Sequence, residues 1–260
     1  ITRYLQTLEE EGQPLPDLES IIRITSSGAT FSGEQKSLLQ KYMPNATIID
    51  MLGASEGGPF GIAMTAPNED PIATAVFIAP PNAVTFNDET WEPLPRGSST
   101  PGVLGVSGPM PQGYFRDEAK SAQTFKVING VRYTIPGDYA LIDAQGVMQL
   151  LGRGSVCINS GGEKIYPEEV EVVARSIAGI ADCTVVGVPD DRFGNAVTAV
   201  VSRLPGATIS TEELLTEMRK TLAAYKCPRH VLFVDAVYRS PSGKADYNIT
   251  RDIAINLLKS

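Results

Sequence analysis

Apolar and polar positions in the first half of the chain predict a helix and a strand followed by a strand-rich stretch. Residues 33–42 carry apolar positions on one helical face and are predicted to form a helix. Residues 47–52 are β-branched and apolar, which predicts a strand that runs into the glycine-rich segment 53–58. Residues 59–111 are rich in proline, glycine and serine around short strand-like runs, so this stretch is predicted to form a small β-subdomain.

Two β-hairpins are predicted next. Asn129-Gly130 lies between β-type runs, and this dipeptide is the strongest short-range signal for a hairpin. A second hairpin is predicted to join residues 139–142 to residues 147–151 through a turn at 143–146.

The second half of the chain alternates helices and strands. Pro167 is predicted to begin a helix with Glu168 and Glu169 in its first turn, and Ser210 with Glu213 forms a capping box for a helix to Leu222. Further elements are predicted as strands at 184–188, 196–202 and 230–234 and a helix over the final ten residues. With a boundary near residues 152–155, about 105 residues follow, which is enough for a small domain.

Composition narrows the classes of function. The 260 residues carry a net charge of −8, which argues against non-specific binding to nucleic acid. Three widely spaced cysteines suggest neither a metal site nor a disulfide framework, so a cytoplasmic protein is expected. No apolar run approaches the ~20 residues of a membrane helix, and no signal peptide is recognised. The chain opens at Ile1 inside a predicted helix rather than at a methionine, which suggests a processed protein or a fragment.

The segment Gly53-x-Ser55-x-Gly57 follows a predicted strand, and three interpretations stand beside one another. Its glycines let backbone approach a ligand, Ser55 offers a hydroxyl, and Glu56 offers a hard oxygen suited to Mg²⁺. It could equally be a tight turn. It also matches the nucleophile elbow of α/β-hydrolases, with His230 downstream as the base, although Pro59 and Gly61 stand where an elbow continues into a helix.

Three more places offer binding chemistry, each beside a plain structural interpretation. Asp138 could accept two hydrogen bonds from a ribose diol, or it could be a turn residue. Arg153 could pair with phosphate or ribose oxygens, and Gly161-Gly162 leaves room for a thin substrate arm, or the segment could be a linker and a turn. Lys244 on a glycine-containing loop could reach into a site as a point charge, or it could be a solvated surface residue.

In this order the motifs resemble those of the adenylate-forming (AMP-binding) superfamily, which includes acyl-CoA synthetases, firefly luciferase and peptide-synthetase adenylation domains. The resemblance covers nearly the whole chain and is strongest to bacterial fatty-acyl-CoA synthetases. Its motifs are segment 53–57, Asp138, segment 153–171, segment 225–228 and segment 242–244.

The resemblance implies a multi-domain protein of α/β and α+β class. Residues 1–152 would be the C-terminal portion of the AMP-binding large domain, α/β with a small β-subdomain. Residues 153–260 would be a small, mobile α+β C-terminal domain. The implied activity joins a carboxylic acid, in particular a fatty acid, to coenzyme A using ATP and Mg²⁺. The phosphate-binding loop of the family would lie upstream of Ile1 in an enzyme about twice as long. This chain alone is therefore expected to be inactive, and a non-catalytic adenylate-binding module remains the other alternative.

The resemblance also implies a role for each residue of the nucleotide site. The backbone of Ser27, Gly28 and Ala29 would lie against adenine, and Leu52 and Gly53 would lie close to the nucleotide. Ser55 would contact the α-phosphate and Glu56 would hold Mg²⁺. Leu52 departs from the family pattern, in which an aromatic residue usually stacks on adenine.

The remaining roles lie in the second half of the chain. Asp138 would bind ribose with Arg153 beside it. Lys244 would bridge the attacking carboxylate and the phosphate in the first half-reaction and leave the site, by domain rotation, before the second. Coenzyme A would pass the residues Gly161, Gly162 and Lys164. Ser155 stands at the hinge position, where the family usually has aspartate or lysine.

Overall fold

The computed structural model describes residues 1–28, 31–72, 74–241 and 243–259. The described chain divides into two compact units. The first comprises residues 1–136 and 140–150, and the second comprises residues 137–139 and the residues from Leu151 onward.

The first unit is a mixed sheet with helices. Its helices are α1 (Thr2–Glu10), α2 (Gly33–Tyr42) and α3 (Glu118–Thr124). Its strands are β1 (Arg23–Ser27), β2 (Thr47–Ala54), β3 (Gly57–Thr65), β4 (Val76–Ile78), β5 (Ala83–Phe86), β6 (Gly102–Ser107), β7 (Phe125–Ile128), β8 (Val131–Thr134), β9 (Asp138–Ile142) and β10 (Val147–Arg153), of which β9 begins and β10 ends in the second unit. The strand order is β1-β2-β3-β4-β10-β9-β6-β8-β7, with β5 beside β6.

Local sequence explains several of these elements. The predicted helix 33–42 is confirmed as α2, and it begins at a capping box in which Ser32 and Gln35 satisfy each other's backbone N–H groups. The predicted hairpin at Asn129-Gly130 is confirmed as β7–β8, with both turn residues at positive φ, as a tight two-residue turn requires. Asp143 begins the turn between β9 and β10 and accepts hydrogen bonds from Gln145 N and Val147 N.

The second unit contains two further sheets. A 3₁₀ turn (Gly154–Val156) leads into a hairpin formed by β11 (Ile158–Ser160) and β12 (Glu163–Ile165). The elements that follow are α4 (Pro167–Arg175), β13 (Ile180–Asp190), β14 (Gly194–Arg203), α5 (Thr211–Met218), a 3₁₀ turn (Ala224–Lys226), β15 (His230–Phe233) and α6 (Tyr247–Lys259). Strands β13 and β14 are antiparallel, and β15 pairs with β14 in parallel.

Both faces of the β13-β14-β15 sheet are buried, which explains the nearly continuous apolar runs in β13 and β14. Val185 and Val197 pack into the cluster that contains residues of α4 and α5. Val186 and Ala196, which are adjacent in sequence to Val185 and Val197, pack into a second cluster with Ala254 of α6. Successive side chains of a strand point to opposite faces, so a strand covered on both sides is apolar throughout.

Two predicted helix boundaries in this unit were wrong. Helix α5 ends at Met218 rather than Leu222, because the chain tightens after it through bonds such as Lys220 N to Glu217 O at 3.1 Å. Helix α6 begins at Tyr247, earlier than predicted. Asp246 precedes it and accepts a hydrogen bond from Ile249 N at 3.1 Å, so an aspartate cap starts the helix.

Candidate functional site

The carboxyl ends of β1 and β2 bring several predicted nucleotide residues together. These strands are parallel and place Ser27 opposite Met51, and the Ser27 hydroxyl donates to Met51 O at 2.8 Å. Gly28, at φ +82°, therefore leaves β1 beside Leu52 and Gly53. Open α/β sheets bind ligands outside the carboxyl ends of their parallel strands, so this edge is a candidate nucleotide site. Ala29 lies outside the described residues.

Leu52 and Gly53 differ in their surroundings. Leu52 is half-buried and packs against the core cluster that contains Phe60, which leaves its side chain part of the protein interior. Gly53 is exposed, lies at an irregularity in the β2–β3 pairing, and has open space where a Cβ would stand. A ligand can therefore approach the backbone at Gly53 closely.

The turn between β2 and β3 holds Glu56 in a defined position. The Glu56 carboxylate accepts a hydrogen bond from Tyr114 OH at 2.5 Å, and its backbone carbonyl accepts one from the Thr134 hydroxyl at 2.9 Å. A Cβ at Gly57 would stand 3.0 Å from Thr134 Oγ1, so the glycine permits this close approach. Tyr114 was not singled out from the sequence, because it lies 58 residues from Glu56.

The hydrolase alternative fails at the same turn. Ser55 is exposed, as a nucleophile would be, but the chain continues from it into strand β3 and not into a helix. A nucleophile elbow is a strand-to-helix turn, so this backbone is not one.

Asp138 and Arg153 form an ion pair in the second unit. Arg153 Nε lies 3.4 Å from Asp138 Oδ1, and the side chains are 60% and 17% exposed, respectively. Gly154 N also donates to Gly137 O at 3.0 Å, which holds the two segments side by side. The pair presents a carboxylate and a guanidinium together, a combination suited to hydroxyl and phosphate oxygens. Ser155 lies in the exposed part of the following 3₁₀ turn.

Gly161 and Gly162 form the tip of the β11–β12 hairpin. Their φ angles are +61° and +90°, which L side chains rarely adopt. Gly161 N donates to Phe193 O at 2.9 Å, and the Arg229 guanidinium lies 3.5 Å from the centre of the Phe193 ring. Lys164 is exposed on β12. The tip therefore combines bare backbone with an aromatic ring and cations, although Phe193 and Arg229 carry no sequence signal that singles them out.

Lys244 is exposed on a tight turn between β15 and α6. Arg239 and Ala245 pair across the base of this turn, and Ser240 N donates to Lys244 O at 2.9 Å. Of the motif residues at this position, Ser242 lies outside the described residues. In the second unit the predicted site residues thus occupy the Asp138–Arg153 pair, the glycine hairpin and the Lys244 turn.

Glu168 lies in the first turn of α4 next to the backbone of Gly152 and Arg153. A Cβ on Gly152 would collide with its carboxylate, so the glycine makes room for it. Burial, with a smaller contribution from the negative charges of Glu171 and Asp138, raises the pKa of the Glu168 carboxyl from an ordinary 4.5 to about 7. The folded chain then holds a proton that the unfolded chain releases, so the free energy of unfolding falls as the pH rises from 4.5 to about 7.

We expect Glu168→Gln to remove this pH-dependent loss of stability. At pH 8 the variant should exceed the parent in free energy of unfolding by about 1 to 3 kcal/mol, and at pH 4.5 the advantage should disappear. Glu212→Gln is the matched control, because Glu212 lies in the first turn of α5 but is exposed. Chemical denaturation of the chain at both pH values measures the difference. A gain that is equal at both pH values would contradict the assignment.

Two observations concern metal binding and membrane-spanning helices. Within the residues that the structure describes, no group of three or more His, Cys, Asp or Glu side chains could hold a metal ion by itself. Across the same residues, no helix is both long and apolar enough to cross a membrane. A Mg²⁺ ion that is held mainly by nucleotide phosphates and water needs only one or two carboxylates, and the oriented Glu56 fits that requirement.

Comparison with known proteins shows which enzymes the chain resembles. Residues 169–244 match the family of the AMP-binding enzyme C-terminal domain. A Mycobacterium marinum protein, medium/long-chain-fatty-acid–CoA/3-oxocholest-4-en-26-oate–CoA ligase, is 44% identical over 236 residues, which is 91% of this chain and 43% of that protein. The 3-oxocholest-4-en-26-oate–CoA ligase of Rhodococcus rhodochrous is 42% identical over 94% of this chain and 44% of its own length.

The fold agrees with these sequence relationships. The crystal structure of ATP-bound MatB from Rhodopseudomonas palustris superposes with a TM-score of 0.75 and 30% identity, covering 90% of this chain and 45% of that one. The chain thus spans less than half the length of these relatives. The chain is therefore similar to the C-terminal part of adenylate-forming acyl-CoA ligases, and its residues 169–244 match the C-terminal domain of AMP-binding enzymes.

Proposed function

We propose that the protein carrying this chain is an AMP-forming acyl-CoA ligase. It joins a carboxylic acid to coenzyme A and converts ATP to AMP and pyrophosphate. The observation that carries the proposal is the parallel pair β1–β2, which sets Ser27 and Gly28 beside Leu52 and Gly53 at the carboxyl edge of the sheet. Residues 1–152 then form the C-terminal portion of the AMP-binding domain, and residues 153–260 form the C-terminal adenylation and thioesterification domain.

In the first unit, the proposed roles follow the positions of the side chains. The backbone at Ser27, Gly28 and Gly53 lies against adenine, and the exposed Ser55 hydroxyl donates to the α-phosphate. Glu56, oriented by Tyr114, holds Mg²⁺ on the nucleotide. A Mg²⁺ ion bound there would neutralise part of the negative charge of the phosphates.

In the second unit, the Asp138 carboxylate accepts hydrogen bonds from the ribose hydroxyls. Arg153, which lies beside it, pairs with phosphate or ribose oxygens. Lys244 neutralises negative charge as the acid carboxylate approaches the α-phosphorus. A new P–O bond forms there, and pyrophosphate leaves with the electron pair of the broken P–O bond. The bare backbone at Gly161 and Gly162, with Lys164 beside it, admits the pantetheine arm. Its thiol sulfur then bonds to the acyl carbon, AMP leaves, and the thiol proton passes to water.

The acid is proposed to be apolar, either a fatty acid or the carboxylated side chain of a steroid. Support comes from the names of the relatives, which act on medium- and long-chain fatty acids and on 3-oxocholest-4-en-26-oate. Two apolar residues near the glycine segment 53–58 do not add to this support. Phe60 is buried in the core, and Leu52 packs against the same core cluster.

The proposal is tested on the protein that carries this chain at the length of its relatives. Pyrophosphate release from ATP is measured with dodecanoate, with 3-oxocholest-4-en-26-oate and without acid. We expect release that depends on one of these acids, with AMP as the other product and acyl-CoA formed when coenzyme A is added. Release of ADP, ester cleavage without ATP, or nucleotide binding without turnover would each overturn the proposal.

A further inference from the structure

The turn that carries Lys244 is closed by hydrogen bonds among its described residues. Besides the Ser240 N to Lys244 O bond, Gly243 N donates to Ser240 O at 2.8 Å and Lys244 N donates to Ser240 Oγ at 3.2 Å. These bonds fix the shape of the turn. They do not fix where the turn lies on the domain, which depends on the residues at its two ends.

Arg239, at the first end, is held by Asp182 of β13. Arg239 Nε donates to Asp182 Oδ2 and Arg239 Nη2 donates to Asp182 Oδ1, both at 2.6 Å. Both side chains are about three-quarters shielded from solvent, with 28% and 25% exposed. Two parallel bonds between guanidinium and carboxylate fix orientation as well as distance. Asp182 is itself held, since Cys183 N donates to its Oδ1 at 2.8 Å.

The second end of the turn runs directly into α6. Asp246 caps the helix, and Tyr247, its first residue, packs against the cluster that contains Val186 and Ala254. Tyr247 OH also donates to Glu168 Oε1 at 3.4 Å, a long bond. Helix packing therefore holds this end, and the Asp182–Arg239 ion pair contributes to holding the other end.

We infer that Asp182 and Arg239 are positioning residues for Lys244, and that their pairing sets the place of the lysine for the adenylation step. This inference rests on the proposed ligase function. A partly exposed ion pair contributes only about 1 kcal/mol to stability. The rate of a catalysed step is more sensitive to the position of a catalytic group, because a shift of about 1 Å can cost roughly a hundredfold in rate. Loss of the pair should therefore be felt in the step that uses Lys244 more than in stability.

The test uses Asp182→Asn and Arg239→Lys in the full-length protein that carries this chain. Each half-reaction is measured separately: pyrophosphate release from ATP and dodecanoate, and thioester formation from supplied dodecanoyl-adenylate and coenzyme A. We expect adenylation to fall by about 10- to 100-fold in both variants. Thioester formation should stay within about twofold of the parent, because Lys244 serves only the first step.

Arg203→Lys is the matched control. Arg203 is a half-buried arginine of the same unit that donates from Nε to Ile209 O at 2.9 Å and stacks on Phe233 at 3.4 Å. The same replacement there alters an arginine that is partly buried in the same unit but forms no ion pair with Asp182, and it should change neither half-reaction. Thermal unfolding of all variants shows whether the losses of stability are comparable.

A double-variant cycle separates positioning from a purely structural role. If the pair acts through Lys244, then Asp182→Asn should cause no further loss of adenylation in a Lys244→Ala background. Multiplied losses in the double variant, or equal losses in both half-reactions, would overturn the inference. An inactive parent protein would instead overturn the proposed function, so the two failures are distinguishable.

Discussion

Replacing Lys244 with alanine is expected to reduce acyl-adenylate formation by about a hundredfold or more, equivalent to about 3 kcal/mol. The attack of a carboxylate on the α-phosphate brings negative charges together, and in the proposed function the exposed ammonium of Lys244 neutralises them. If Lys244 leaves the site before the second half-reaction, as the family resemblance implies, the same variant should convert supplied acyl-adenylate and coenzyme A to product at a nearly normal rate. Pre-steady-state assays of each half-reaction measure the two rates.

Lys220→Ala is the control for this prediction. Lys220 is an exposed lysine of the same unit that pairs with Glu217 at 2.7 Å, and its loss removes the same charge. Neither half-reaction should change. Equal loss of both half-reactions in Lys244→Ala would indicate a folding defect or a single fixed site, and the alternation between the two steps would be wrong.

Replacing Gly162 with leucine is expected to have the opposite selectivity. Thioester formation from supplied acyl-adenylate should fall by about a hundredfold, because in the proposed function the side chain would fill the space that the pantetheine arm uses. Adenylation should remain within about threefold of the parent. The same two half-reaction assays give the result.

Backbone strain is the confounding effect at this position. Gly162 has a φ of +90°, so any L side chain is strained there although a Cβ would meet nothing within 4 Å. Gly206→Leu is the matched control, because Gly206 has a φ of +80° and the same open space. If Gly206→Leu lowers thioester formation as much as Gly162→Leu does, strain and not obstruction explains the effect.

Elements with a local cause were predictable from the sequence. The helix 33–42, the capping box at Ser210, the proline that begins α4 and the Asn129-Gly130 hairpin were readable because each depends on residues no more than a few positions apart. The order of the motifs gave the resemblance to adenylate-forming enzymes for the same reason, since each motif is short in sequence. The roles of the individual site residues stay predictions.

The structure alone decided which distant residues meet and which charges are buried. Tyr114 orients Glu56 from 58 positions away, and Asp182 holds Arg239 from 57 positions away. Glu168 looked like an ordinary first-turn acid of a helix, yet burial and, to a smaller extent, the neighbouring carboxylates raise its pKa to about 7. The sequence by itself determined the local elements and the resemblance to adenylate-forming enzymes, because turn, cap and motif chemistry act within a few residues. Burial and long-range pairing depend on how separate segments pack, so only the tertiary structure decided them.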